Sequence, residues 1–348
     1  MFQLQKLYAA IAGRVKPPVA IILGSPRQAA ELVSLVDQEG TVCFQLDRHQ
    51  AGRVEEELAL LGVLARVEVQ ADLWDLPAEF QTAIIPIPKQ SDRELKLDML
   101  EQSYQILKPS GLLIGLTEYV RDQLLPKALK KIYGKCSEMP ASRIGGAFWA
   151  AHEGDRPRRR HEVGFHARVG QWPSHTFLSR PGVFSYGEMD DGARAILEIA
   201  DIQPGCALLD LGCGVGTNGV LASDRAGKDA PITFVDSNMR AIAVAELNAK
   251  SNGLTNFTCL ATSTMAGLKP GSFDVILANP PYYAISSIAK MFIDQSRALL
   301  KENGRFYLVT KQVEIVAPFL VDAFGDVQAF ENRGYTILEA IAGGGYGS

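Results

Sequence analysis

Glu101-Gln102-Ser103 and Leu107-Lys108 recur without a gap as Asp294-Gln295-Ser296 and Leu300-Lys301, at a constant offset of 193 (294 − 101). At the same offset Gly111 falls on Gly304, and Pro86-Ile87-Pro88 falls on Asn279-Pro280-Pro281. A match at one long period predicts that a single domain has been used twice. The 348 residues have room for roughly two domains of ordinary size. The expected division is a first copy over residues 1–168 and a second over 169–348.

Strands alternate with helices in both halves. In the first, Val19 to Leu23 reads as a strand stopped by Gly24-Ser25-Pro26, then a helix from Gln28 to Asp37 and a strand from Thr41 to Leu46. A helix over Ala51–Leu61, strands near Ala65–Val69 and Ala83–Ile87, a helix over Asp92–Leu107 and a strand over Leu112–Leu116 follow. Apolar positions at helical spacing between Met1 and Lys16 predict one more helix. The second half repeats the pattern with strands at Ala207–Leu211, Ile232–Val235, Phe257–Leu260, Phe273–Ala278 and Arg305–Thr310. Its helices begin at Asn218 and cover Ala241–Ser251 and Ser287–Leu300. This alternation predicts α/β domains, each a doubly wound, mostly parallel sheet.

Three features of the second half carry chemistry. Asp210-Leu211-Gly212-Cys213-Gly214-Val215-Gly216-Thr217 follows a strand and opens a helix, and its glycines let the backbone turn tightly and approach a ligand. A dinucleotide loop would want another glycine where Thr217 stands. The acid at Asp210 suits instead a ligand with an amino-acid tail, held by its ammonium group. Asp236 ends the next strand and is placed to accept two ribose hydroxyls. Asn279-Pro280-Pro281-Tyr282 ends the strand after that, because neither proline can donate to a ladder. The Asn279 side-chain oxygen and the Pro280 carbonyl can each accept an N–H from a flat group bearing NH2, with Tyr282 stacked on its plane. Alone, the tripeptide is an ordinary strand-ending turn; after such a loop and acid it reads as a binding site for a flat group bearing NH2.

With these residues the chain resembles the class I S-adenosylmethionine-dependent methyltransferases, in the small methyltransferase-domain group that modifies ribosomal RNA at guanine N2 on the small or the large subunit. The resemblance includes the tandem arrangement, a degenerate Rossmann-like copy before the active one, and the segment Arg180-Pro181-Gly182-Val183-Phe184-Ser185. It implies that Asp210, Gly212, Gly214 and Gly216 line S-adenosylmethionine, that Asp236 holds its ribose, and that Asn279, Pro280, Pro281 and Tyr282 hold the target base. Two departures stand out. Ala261-Thr262-Ser263 offers only hydroxyls, Ser263 among them, where the family places Asp or Asn near the adenine. Tyr282 stands where guanine-specific members more often carry Phe, and NPPY is also the form of glutamine-N5 and adenine-N6 methyltransferases.

The first copy has lost the same features. Ile22 replaces the acid, one glycine survives in Gly24-Ser25-Pro26, and Pro86 replaces the amide. It is expected to bind no cofactor and to serve in RNA docking or as a stabilising module. The net charge of −4 and a pI near 5.8 confine any RNA contact to a local patch. Arg156, Arg158, Arg159 and Arg160 form the dense basic run and are the candidate phosphate contacts. The five scattered cysteines make no C-x-x-C pair, so reduced thiols, no metal site and a cytoplasmic setting are expected. No apolar run is long enough to span a bilayer. The partner expected is ribosomal RNA or a ribosomal subunit, bound by a monomer.

Overall fold

A computed structural model of the chain describes residues 4–37, 39–88, 92–140, 142–159, 161–280 and 287–343. They form two compact units, Met1–His161 and Glu162–Ser348.

The first unit contains helices α1 (Leu4–Ala9), α2 (Pro26–Val36), α3 (Arg48–Leu61), α4 (Arg93–Ile106) and α5 (Leu124–Tyr133). Its strands are β1 (Val19–Ile22), β2 (Val42–Gln45), β3 (Arg66–Val69), β4 (Phe80–Ile87), β5 (Leu107–Thr117), β6 (Ser137–Glu138) and β7 (Gly146–Ala151). They form a seven-stranded sheet in the order β3-β2-β1-β4-β5-β7-β6. β1 to β5 run parallel, and β7 and β6 extend one edge antiparallel. Every residue of β1 and β2 is buried, as in a parallel sheet covered by helices on both faces. Ser25, Asp47 and Asp92 each accept a first-turn N–H of the helix that follows, which sets where α2, α3 and α4 begin. The helix expected over Met1–Lys16 is shorter: α1 ends at Ala9, and Ala12–Arg14 is a 3-10 turn. Gly13, where a side chain would face open space, sits where the helix would have had to continue. Leu4, Leu7 and Ile11 are nevertheless fully buried, as their spacing predicts.

The second unit opens with a hairpin, β8 (Val163–Ala167) and β9 (His175–Ser179). Then come α6 (Asp191–Ile199), β10 (Leu208–Leu211), α7 (Thr217–Ala226), β11 (Ile232–Asp236), α8 (Met239–Ser251) and β12 (Phe257–Ala261). β13 (Phe273–Ala278), α9 (Ser287–Leu299), β14 (Leu300–Thr310), α10 (Val313–Phe324), β15 (Val327–Asn332) and β16 (Tyr335–Ile341) complete it. The sheet order, β12-β11-β10-β13-β14-β16-β15, is that of the first unit. The division falls at 161/162 because β8 pairs with β9, and β9 is fastened to α8. Asn248 accepts the Leu178 N–H at 2.8 Å and donates to the Leu178 carbonyl at 2.9 Å.

The repeat extends to local detail. β5 and β14 are both 11 residues long with the same order of buried and exposed positions. Both neighbours break register at equivalent points, between Phe80 and Thr82 and between Phe273 and Val275. Ser110 and Asn303 hold the left-handed backbone at φ 63° and 61°. A Cβ on Gly111 would press the Lys108 carbonyl at 2.8 Å, and one on Gly304 the Lys301 carbonyl at 3.0 Å, so the turn needs glycine in both copies. Among the described residues, no helix is long and apolar enough to cross a membrane.

Candidate active site

The site is built at the carboxyl ends of three adjacent strands of the second unit. Parallel pairing sets Leu211 beside Ala278 and Leu211 beside Val235, so the loop after β10, the acid ending β11 and the amide after β13 share one edge. Such an edge is where open α/β sheets bind ligands.

Each glycine of the loop has its own physical reason. Gly212, Gly214 and Gly216 all hold positive φ, at 71°, 54° and 84°. A Cβ on Gly216 would lie 3.2 Å from Ala245 and from the Phe234 ring, so this position packs α7 against α8 and β11. Gly219, one turn later, is closed by Phe234 in the same way. Gly214 faces open space, with nothing nearer than the Phe184 carbonyl at 4.0 Å, and Gly212 looks toward Phe292 at 3.3 Å. Of the three, Gly214 leaves an open cradle at the strand edge.

Two acids hold the loop. Asp236 Oδ2 accepts the Gly214 N–H at 2.9 Å and its Oδ1 accepts the Asn238 N–H at 2.9 Å. Asn238 caps α8 and donates to the Gly182 carbonyl at 2.8 Å, tying the segment 180–185 to this edge. The fully buried Arg240 donates to the Pro181 carbonyl at 2.6 Å. Asp210 lies beneath the loop, also fully buried, where its Oδ2 accepts the Gly219 N–H at 2.8 Å. Its Oδ1 accepts no well-formed hydrogen bond, and burial pushes the carboxyl up to about 8 even though the Gly219 N–H and the Asn218 side chain oppose the rise. Ser263 lies half-buried in a bend just past β12, and the Thr262 N–H donates to the Asp236 carbonyl at 2.9 Å.

Asn279 is half-buried and Pro280 buried. The Asn279 Nδ2 donates to Asp190 Oδ2 at 2.8 Å. Asp190 also caps α6, accepting the Ala193 N–H on the same oxygen at 3.0 Å. Nothing in the sequence pairs Asp190 with Asn279, which lies 89 residues away. Pro281 and Tyr282 lie outside the described residues.

The first unit closes the corresponding corner. A Cβ on Gly24 would stand 2.5 Å from Pro86 Cγ, so the ring that replaces the amide lies over the one surviving glycine. Of the basic run, Arg158 is engaged within this unit, paired with Asp75 at 2.5 Å and donating to the Trp74 carbonyl. Arg156 lies beside Gly134 at the end of α5, near Lys130 and Lys131, and Arg159 is exposed. Arg160 lies outside the described residues. Among the described residues, no group of three or more His, Cys, Asp or Glu could hold a metal ion.

A family model described as the methyltransferase small domain matches residues 174–339. An uncharacterized Bacillus subtilis protein, YbxB, is 33% identical over 175 residues, a stretch covering 47% of this chain and 85% of YbxB. The chain belongs to the methyltransferase small domain family. Ribosomal RNA small subunit methyltransferase C of Chromohalobacter salexigens is 30% identical over 175 residues, so the match spans about half of that relative, 51%, and 48% of this chain. Ribosomal RNA large subunit methyltransferase G of Psychromonas ingrahamii is 24% identical over 303 residues, 84% of this chain and 76% of the relative. A solved T. thermophilus 16S rRNA methyltransferase, in complex with AdoMet and guanosine, superposes with a TM-score of 0.74 over 97% of this chain and 92% of its own, at 19% identity. That likeness extends through both units and shows the fold: two tandem α/β Rossmann-like domains.

As a methyltransferase of this family the protein uses S-adenosylmethionine as its methyl donor. The residues present fit that group. At Gly214 the loop leaves room that a side chain would fill, and the buried Asp210 Oδ1 beneath it is an acceptor suited to a cation or donor.

Proposed function

We propose that the protein methylates the exocyclic N2 amine of a guanine in ribosomal RNA, with the small-subunit RNA as substrate. The observation that carries the reading is the placement of Asn279 at the strand edge next to the glycine cradle, with its amide anchored by Asp190. Two of the named relatives, from Chromohalobacter salexigens and Psychromonas ingrahamii, are ribosomal RNA methyltransferases, and the T. thermophilus protein acts at a guanine N2 of 16S rRNA.

In this reading Asp236 accepts the ribose hydroxyls of the cofactor while keeping the Gly214 N–H, since a carboxylate has about four acceptor sites. Asp210 gives up its proton as the cofactor's ammonium end arrives and then offers it a negative charge, and Ser263 is the hydroxyl available to the adenine. S-adenosylmethionine supplies an electrophilic methyl on its sulfonium. The amine of guanine is a poor nucleophile because its lone pair is spread into the ring. Asn279 and the Pro280 carbonyl accept its two N–H bonds and favour a pyramidal nitrogen whose lone pair faces the methyl. The new N–C bond forms in line as the C–S bond breaks, with the barrier lowered mainly by positioning. Both acceptors bind more strongly as positive charge grows on nitrogen. The methylated ammonium then gives a proton to water, so no strong base is required. Tyr282 and Pro281 complete the base pocket, and a paired target must first be unstacked at a cost of about a few kcal/mol.

The first unit serves as the RNA-docking module, with Arg156, Arg159 and Arg160 as phosphate contacts and Arg158 a structural tie. Asn279→Ala tests the proposal. Turnover should fall roughly 10²–10³-fold, the scale for removing one partner of developing charge, with cofactor affinity nearly unchanged. Full turnover in that variant would remove the amine-acceptor reading.

A further inference from the structure

We infer that Asp190 is a positioning residue: it fixes which end of the Asn279 amide faces the methyl acceptor, and so makes the site select a nitrogen that carries hydrogens. The inference rests on the proposed reading of Asn279 as the acceptor of a target N–H.

An amide side chain has a donor end and an acceptor end of nearly the same shape, so its orientation is set by its partners. An ionised carboxylate can only accept. With Asp190 Oδ2 at 2.8 Å from it, the NH2 end of Asn279 is committed to Asp190, and the oxygen end faces the other way. Turned end for end, Asn279 would set its oxygen against a carboxylate oxygen and offer N–H to the substrate amine, donor against donor. A ring nitrogen with a lone pair would be welcomed by that reversed amide and is not by the one present.

Asp190 is itself held still. Its Oδ2 accepts the Ala193 N–H at 3.0 Å, and it sits at the N-terminus of α6, where the helix dipole complements a negative charge. Ala193, Ala195, Ile196 and Leu197 bury α6 against the sheet, so the carboxylate is fixed by a packed element while Asn279 sits on a turn. The two residues are 89 positions apart, and only the fold brings them together.

The experiment is a double-mutant cycle of Asp190→Asn and Asn279→Ala in the full chain, with steady-state methyl transfer to ribosomal RNA lacking the modification. Melting temperature and S-adenosylmethionine affinity are read in parallel. Asn caps helices as well as Asp does, so Asp190→Asn preserves the fold, but its side chain can donate as well as accept and no longer pins the amide. Expected is a fall in kcat of about 10-fold, the scale for coupling between residues in contact, with KM, cofactor affinity and melting temperature unchanged. In the Asn279→Ala background the same substitution should have no further effect. If Asp190→Asn keeps full kcat while Asn279→Ala is slow, the positioning role is refuted and the acceptor role of Asn279 stands. An equal loss in both backgrounds overturns it in favour of a helix cap alone. Full turnover by Asn279→Ala overturns the underlying reading, and this inference with it.

Discussion

Asp210→Asn should stabilise the cofactor-free protein above neutral pH while weakening its grip on the cofactor. Burial is the main cause that lifts the Asp210 carboxyl from 3.8 to about 8, with the nearby Asp236 charge adding to it and the Gly219 N–H opposing it. A carboxyl raised in the folded state keeps a proton that the unfolded chain has already lost. Stability therefore falls as pH climbs from about 4 toward about 8, and the full cost is present above that. At ~1.4 kcal/mol per unit the gap corresponds to at most about 6 kcal/mol. Local relaxation around a buried charge brings the expected gain from Asn to about 2 kcal/mol. For a domain the size of the second unit that is a rise of roughly 4–8 °C in melting temperature, because Asn still accepts the Gly219 N–H. The assay is a series of thermal melts from about pH 5 to about pH 8 without cofactor, with calorimetric S-adenosylmethionine binding alongside. The advantage of Asn should grow with pH, and the affinity should drop about 10-fold or more because a charge facing an ammonium is gone. A difference that stays flat across that range would refute the buried, protonated carboxyl.

The whole chain should bind one equivalent of S-adenosylmethionine by calorimetry, and Asp236→Ala should cost that site about 1.5–3 kcal/mol, since the first unit has a proline over its surviving glycine. Gly219→Ala should destabilise the second unit by about 1–3 kcal/mol in denaturant melts, because its methyl meets Phe234, whereas Gly214→Ala, which meets no neighbour but must hold positive φ, should cost about 1–2 kcal/mol and also weaken cofactor binding. Replacing Arg156 and Arg159 by Ala should weaken RNA binding and flatten its salt dependence by about one to two phosphate contacts in filter-binding titrations. Arg158→Ala should change RNA binding less, since its guanidinium is engaged with Asp75 and Trp74, and that exposed pair contributes only about 0–1 kcal/mol. Asn279→Asp should exceed Asn279→Ala in activity only at low pH, because two carboxylates facing each other across the Asp190 contact must share a proton for one to donate and the other to accept.

How much could be read in advance divides along the range of the interactions involved. The repeat at 193 residues was visible because turns such as Leu107–Gly111 and Leu300–Gly304 are set by local backbone demands that leave glycine no substitute. The strand-end acids and the glycine loop were legible for a related reason: each follows an apolar run too short for a helix, and in the loop's case one closed by glycines, which reads as a buried strand. The division of labour among the glycines was not legible, since Gly216 and Gly219 are required by Phe234 and Ala245, which come from other elements. The same holds for the hairpin Val163–Ala167 with His175–Ser179, whose anchor on Asn248 is a contact across 70 residues. Arg158 looked like a free cation in a charge run until the fold set Asp75 and the Trp74 carbonyl beside it. Asp190 was not legible at all: its bond to Ala193 caps a helix the sequence reading did not place, and its bond to Asn279 spans 89 residues.

The central claim concerns the atom that receives the methyl group. Ribosomal RNA from cells lacking this protein should be incubated with the purified chain and isotopically labelled S-adenosylmethionine, digested to nucleosides and resolved by mass spectrometry. The expected product is labelled N2-methylguanosine at a single site of small-subunit RNA, absent when Asn279 is Ala. Label on adenine N6, on a ring nitrogen or on a protein glutamine would contradict it.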